Sequence, residues 1–277
     1  MTVPYDAADG LLRVCPAALP ESATRGPALI WAHGGGFAGG DLDMPEADWT
    51  AGALAARGVT AVSVDYRHLG GGFHYPVPSD DILTALRWTH DHGDELGIDT
   101  DRLAMGGASA GGNLVAGAVL RLLAGERAGL PVPAGVFLAY PTLLAHQPAP
   151  DARLRAQLEA NPTALHRPGY VDDMYRNFFG GPVDDAPLPV VPGRATASDL
   201  VGFPPVLMIN SEIDLLRLSG EVFAETLVEA GVPLELAIEP ATLHGHLNRP
   251  DEPAATSSVE RIVRWIERGF VPEAPAE

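Results

Sequence analysis

The 277-residue chain contains no lysine: all 18 of its basic side chains are arginine. That removes a Walker A lysine, a pyridoxal Schiff base and the lysine of a Tyr-Lys reductase dyad from consideration. Cysteine is nearly absent as well. Cys15 stands alone, so there is no internal disulfide, and its place in an apolar run reads as a small core residue. There is no Cys-x-x-Cys and no His-Glu-x-x-His. The spaced pairs His90-x-His92 and His244-x-His246 have no further ligands nearby, so neither a metal nor a cofactor is expected. No apolar stretch approaches a membrane span, and the N-terminus lacks the basic-then-apolar pattern of a secretory signal, so a cytoplasmic location is expected. Positive charge is scarce: 36 acidic side chains leave a net charge of -18. Such a surface repels nucleic acid and anionic lipid, and neither is expected as a partner.

What is present is apolar material in regular alternation. With 46% hydrophobic residues the chain can bury one large core, and residues 1–277 read as a single α/β domain. Buried strands are expected at Ala28–Ala32, Val59–Val64, Leu103–Met105, Ala134–Ala139, Val206–Ile209 and Leu234–Ile238, with Leu11–Cys15 as an edge strand. Helical patterns fall at 45–57, at 79–96 with Ser79 as N-cap, at Asn113–Ala124, and before Glu229. A final helix carries Val259, Ile262, Val263 and Ile266 on one stripe. Strand–helix alternation predicts a mostly parallel sheet with helices on both faces and chemistry at the carboxyl ends of its strands. About sixty residues between adjacent strands are too many for a plain connection. The Pro-rich stretch of about 141–204, with helical pieces near 151–160 and 169–179, therefore reads as a small helical cap inserted over the site.

Gly107-x-Ser109-x-Gly111 lies where an apolar run becomes a helical pattern. There a serine can sit on a sharp strand-to-helix turn, hydroxyl exposed and the next backbone N–H free to bind an anion. An activated serine also needs a base, an orienting acid and an anion hole. The run ending at Ala32 continues into His33-Gly34-Gly35-Gly36-Phe37, where glycines allow backbone N–H groups to turn inward. Asp214 follows the strand at 206–209, and His244 follows the strand at 234–238. Glu212 competes with Asp214: on an extended chain both carboxylates point the same way.

These motifs, in this order from residue 11 to 268, resemble the hormone-sensitive-lipase-like branch of the α/β-hydrolases, a family of carboxylesterases. The resemblance rests on His33–Phe37, Gly40-Asp41-Leu42-Asp43, Val64-Asp65-Tyr66-Arg67, Gly107–Gly112, Asp214-Leu-Leu-Arg217 and His244-Gly245. It implies Ser109 as nucleophile, His244 as base and Asp214 as acid. Gly35, Gly36 and Ala110 would form the oxyanion hole, with Gly34 as an alternative donor. His33 would hold the glycine loop, and Asp65 and Arg67 would form a structural ion pair. The implied reaction is hydrolysis of short-chain acyl or aryl esters through an acyl-enzyme. A small-molecule ester is the expected partner, with a homodimer as an option. Ala108 stands where the family carries an acidic or hydroxyl residue, no proline follows Asp214, and His246 stands where phenylalanine is usual; with a strand expected from residue 11, the family's N-terminal cap segment is not expected here.

Three other readings compete. Gly34-x-Gly36-x-x-Gly39 with a downstream Asp65 has the letters of a dinucleotide site. The glycines there should open a helix directly, whereas Gly40–Pro45 intervenes. A non-catalytic small-molecule binder on the same fold would have no use for His244. Amide, lactone or formamide hydrolysis would employ the same triad.

Overall fold

Every residue of Gly26–Ala32, Thr60–Val64 and Gly135–Ala139 is buried, as apolar runs are in the middle of a parallel sheet covered on both faces. The computed structural model describes residues 3–20, 23–127, 129–161 and 169–273. Its strands are β1 (Tyr5–Ala7), β2 (Leu12–Cys15), β3 (Gly26–Ala32), β4 (Thr60–Val64), β5 (Ile98–Ala108), β6 (Gly135–Ala139), β7 (Val206–Ile213) and β8 (Leu234–Leu243). Its helices are α1 (Pro45–Ala55), α2 (Val77–Asp91), α3 (Ala110–Leu123), α4 (Ala152–Ala160), α5 (Tyr170–Phe179), α6 (Arg217–Glu229) and α7 (Pro253–Glu267). The strands form one sheet in the order β1-β2-β4-β3-β5-β6-β7-β8. The β1–β2 and β2–β4 pairs are antiparallel, and all others are parallel. Among the described residues no helix is long and apolar enough to cross a membrane.

The two faces of the sheet follow the alternation along each strand. On β3, Ala28, Ile30 and Ala32 join one apolar cluster with Ile82 and Leu86 of α2, Leu114 and Val115 of α3, and Phe223 of α6. Leu29 and Trp31 join the other, with Leu54 of α1 and the Val259, Ile262 and Ile266 stripe of α7. Cys15 is buried in this second cluster.

Several boundaries differ from the sequence reading. The strand at Leu11–Cys15 is not the edge, because β1 pairs outside it, Tyr5 opposite Val14. β1 has three residues and little burial, too short for a periodic pattern. β5 is far longer than Leu103–Met105: Ile98 pairs with Gly26 across intervening polar residues that mask the strand. α2 begins at Val77, with Pro78 inside its first turn, where a missing N–H costs nothing. Ser79 is therefore not its cap, and its hydroxyl accepts from Arg121 Nη1 at 2.8 Å. α3 starts at Ala110, without delay after the serine. The expected Asp65–Arg67 pair does not form. Arg67 makes a two-pronged contact with the buried Asp81 (Nη2 to Oδ1 2.7 Å, Nε to Oδ2 3.0 Å), while Asp65 is exposed. α2 brings Asp81 within reach of both the backbone N–H and the guanidinium of Arg67, and that contact takes the place of the expected pair.

Between β6 and β7 the chain leaves the sheet. α4 packs Leu154 and Leu158 against Ile213, Leu215 and Leu218. α5 buries Val171, Met174, Tyr175 and Phe178. Its Phe178 stacks on Phe37 at 4.1 Å between centroids, and Tyr175 meets the same ring edge-on at 5.5 Å. The Tyr175 hydroxyl donates to Thr142 O at 2.9 Å and accepts from Asn113 Nδ2 at 2.9 Å, tying α5 to α3.

Candidate active site

Ser109 stands alone between β5 and α3, with φ 52° and ψ −114°, a conformation that L-residues rarely hold. Close packing enforces it. A Cβ on Gly107 would lie 2.3 Å from the carbonyl carbon of Gly111, and one on Gly111 would lie 2.2 Å from Ala32 O. Glycine at both positions lets the chain reverse against β3. The Ser109 N–H is held by Ala139 O at 2.9 Å. Ala110 opens α3, so its N–H belongs to the first-turn donors that have no partner within the helix.

His244 and Asp214 converge on this serine from two neighbouring strand ends. His244 Nε2 lies 2.9 Å from Ser109 Oγ, and His244 Nδ1 lies 2.7 Å from Asp214 Oδ2. The other Asp214 oxygen accepts from Leu216 N at 2.9 Å. Burial by itself lowers the proton affinity of His244, but the charge and hydrogen bond of Asp214 outweigh it. The imidazole is held above its ordinary value. Glu212 lies elsewhere. The β7–β8 register shifts between Ser211 and Ile213, and this irregularity separates the two carboxylates. Glu212 accepts from Ala241 N at 2.8 Å and pairs with Arg153 of α4.

The glycine loop after β3 is braced from behind. The His33 ring stacks on Tyr66 at 4.4 Å between centroids, and its Nδ1 lies 2.6 Å from Gly34 O. The Tyr66 hydroxyl donates to His33 O at 2.9 Å. Gly35 has φ 125°, and a Cβ there would come within 1.9 Å of Gly39 O. The Gly34 N–H does not face the cavity as a free donor, because it bonds Glu46 Oε1 at 2.5 Å. Glu46 is buried. Its second oxygen accepts from Tyr140 Oη at 2.5 Å and Asn248 Nδ2 at 3.0 Å. Sequence reading missed Glu46, Tyr140 and Asn248. An acidic residue in a helix's first turn is ordinary complementation of the helix dipole, and nothing in the local pattern set Glu46 apart.

His246 is also buried. Its Nδ1 lies 2.9 Å from Ser211 Oγ and its Nε2 2.8 Å from Ser258 Oγ. Burial, with help from the neighbouring His244, pushes its pKa down to about 3. Tyr140 stands between the two histidines, edge-on to His244 at 5.1 Å and to His246 at 4.9 Å. A cavity of about 370 Å³ opens over Ser109 and His244. Gly34, Gly35, Gly36 and Glu46 form one wall, and Tyr170 and Met174 of α5 form another.

Residues 29–248 match a family model described as alpha/beta hydrolase fold. The chain is 37% identical over 253 residues to carboxylesterase NlhH of Mycobacterium tuberculosis, spanning 88% of this chain and 74% of that protein. It is 32% identical over 230 residues to ethyl acetate hydrolase of Pseudomonas putida, spanning 81% and 67%. The solved structure of brefeldin A esterase, described as a bacterial homologue of human hormone-sensitive lipase, matches with a TM-score of 0.79 at 27% identity. That match covers 98% of this chain and 76% of that one.

Proposed function

The chain belongs to the hormone-sensitive-lipase-like family of α/β-hydrolase carboxylesterases, and from that premise we propose how it hydrolyses carboxylic esters: Ser109 is the nucleophile, His244 the base and Asp214 the acid. The observation that carries this assignment is the continuous relay from Ser109 Oγ through His244 to Asp214, with steps of 2.9 and 2.7 Å. His244 Nε2 takes the serine proton as Oγ attacks the ester carbonyl. Asp214 holds the tautomer that presents Nε2 as an acceptor and stabilises the imidazolium that forms. The N–H groups of Gly35, Gly36 and Ala110 receive the oxyanion, each worth about 3–4 kcal/mol of transition-state stabilisation. Gly34 is left out of the hole because Glu46 already takes its N–H. His244 returns the proton to the leaving alcohol, then activates a water that attacks the acyl-enzyme.

The substrates in this reading are esters of short acyl groups. Acyl and alcohol halves share one cavity of about 370 Å³, narrowed by Tyr170 and Met174, and the matching ethyl acetate hydrolase is named for a small ester. Residues 141–204 act as the cap, with α5 as the part that reaches the substrate.

Ser109→Ala should lose at least about 10⁴-fold in kcat on p-nitrophenyl acetate. A fluorophosphonate should label the wild type stoichiometrically at Ser109. Full activity in Ser109→Ala removes the mechanism. In an acyl-chain series, acetate and butyrate esters should turn over faster than dodecanoate, and the reverse order removes the short-chain assignment.

A further inference from the structure

Glu46 sits at the back of the cavity and uses both carboxylate oxygens on three separate segments. Oε1 takes the Gly34 N–H of the glycine loop, and Oε2 takes Tyr140 Oη from the end of β6 and Asn248 Nδ2 from beyond His244. Its own backbone is fixed in turn: its N–H donates to Asn248 Oδ1 at 3.2 Å, and its carbonyl accepts from Trp31 Nε1 at 2.8 Å. A carboxylate this buried is costly unless its oxygens meet donors, and here the donors come from the parts that must keep register in the reaction. With the Gly34 N–H turned back to Glu46, the N–H groups of the next two glycines are left for the cavity.

We propose that Glu46 is a positioning residue for the ester hydrolysis, a carboxylate strut that sets the glycine loop against the segment carrying His244. This inference rests on the Ser109 mechanism proposed above. Two physical effects separate within it. Geometry acts on the oxyanion loop. Charge acts on His244, whose proton affinity the Glu46 carboxylate helps to raise.

Glu46→Gln nearly preserves shape but presents one acceptor oxygen and one NH₂. In either orientation the amide sets a donor against a donor, facing Gly34 N or Asn248 Nδ2. Glu46→Asp keeps the charge and withdraws it by one methylene. On p-nitrophenyl acetate, both variants should lose about tenfold or more in kcat with KM within about threefold, as expected when a transition-state contact is displaced. The acidic limb of kcat/KM should move to lower pH in Glu46→Gln and stay in place in Glu46→Asp. If either variant fails to fold, the other still reads the kcat against KM split. A kcat within twofold of wild type in either variant, a KM rising in step with the loss, or an unmoved acidic limb in Glu46→Gln overturns the proposal. Ser109→Ala, run alongside, distinguishes the failures. An active Ser109→Ala sinks the mechanism itself, whereas an inactive one beside a fully active Glu46→Gln sinks only the strut.

Discussion

Asp214 and Glu212 are both carboxylates, two residues apart and indistinguishable on an ideal strand. One irregularity in the β7–β8 register sends Asp214 to His244 and Glu212 to Ala241 and Arg153. Asp214→Asn should reduce kcat on the order of 10⁴-fold, because an amide no longer enforces the tautomer that presents Nε2 as the acceptor. It also removes the charge that raises His244. The wild-type kcat/KM should fall with decreasing pH through a value above that of ordinary imidazole, and in Asp214→Asn this limb should move down. A pH series on both proteins reads the two effects, and an unshifted limb contradicts the pairing. Glu212→Gln should leave the limb in place.

At the scale of elements, the strand-to-helix turn at Ser109 and the loop after β3 lock into each other. Gly111 packs on Ala32 O, and Gly35 on Gly39 O, so each turn is shaped by close backbone approach as much as by its own residues. Gly35→Ala combines a positive φ with a Cβ that has no room, and the loop must move. We expect a fall in kcat of more than about 10²-fold, the cost of a lost oxyanion donor, with the acidic limb unchanged because His244 and Asp214 are untouched. Steady-state kinetics across pH checks both. The strands around these turns were legible as apolar runs. β1 was not, with three residues and little burial, nor was the polar first half of β5, because neither carries a period-two pattern.

Across the whole molecule, His246 couples the site to acid stability. The unfolded chain takes up a proton on this residue near 6.5, whereas the folded chain resists until about 3. Between those values the unfolded state binds more protons, so the contribution is whole above 6.5 and declines as pH falls. The unfolding free energy should drop by about 1.4 kcal/mol per pH unit from this group alone. Urea titrations at pH 7, 6 and 5 should show the decline, and His246→Asn should remove about one proton's worth of slope. His33, also lowered by burial, adds a decline of the same sign that persists in the variant. His244 is raised, so its contribution is whole below 6.5 and is lost only as pH rises through its folded value.

The sequence by itself determined the class of sheet, the positions of its central strands, and the serine and histidine that meet at their carboxyl ends. Those properties follow from burial periodicity and from glycines that no other residue replaces, and both are written locally in the chain. Only the tertiary structure decided which carboxylate meets His244, that Arg67 pairs with Asp81, and that Glu46 takes the N–H of Gly34. Each of these depends on the direction of a side chain relative to an element distant in sequence, set by register and packing, and no local pattern encodes that direction. The Ser109 turn shares in both. Its glycines are plain in the sequence, and the carbonyl of Ala32 that requires Gly111 appears only when β3 lies beside β5.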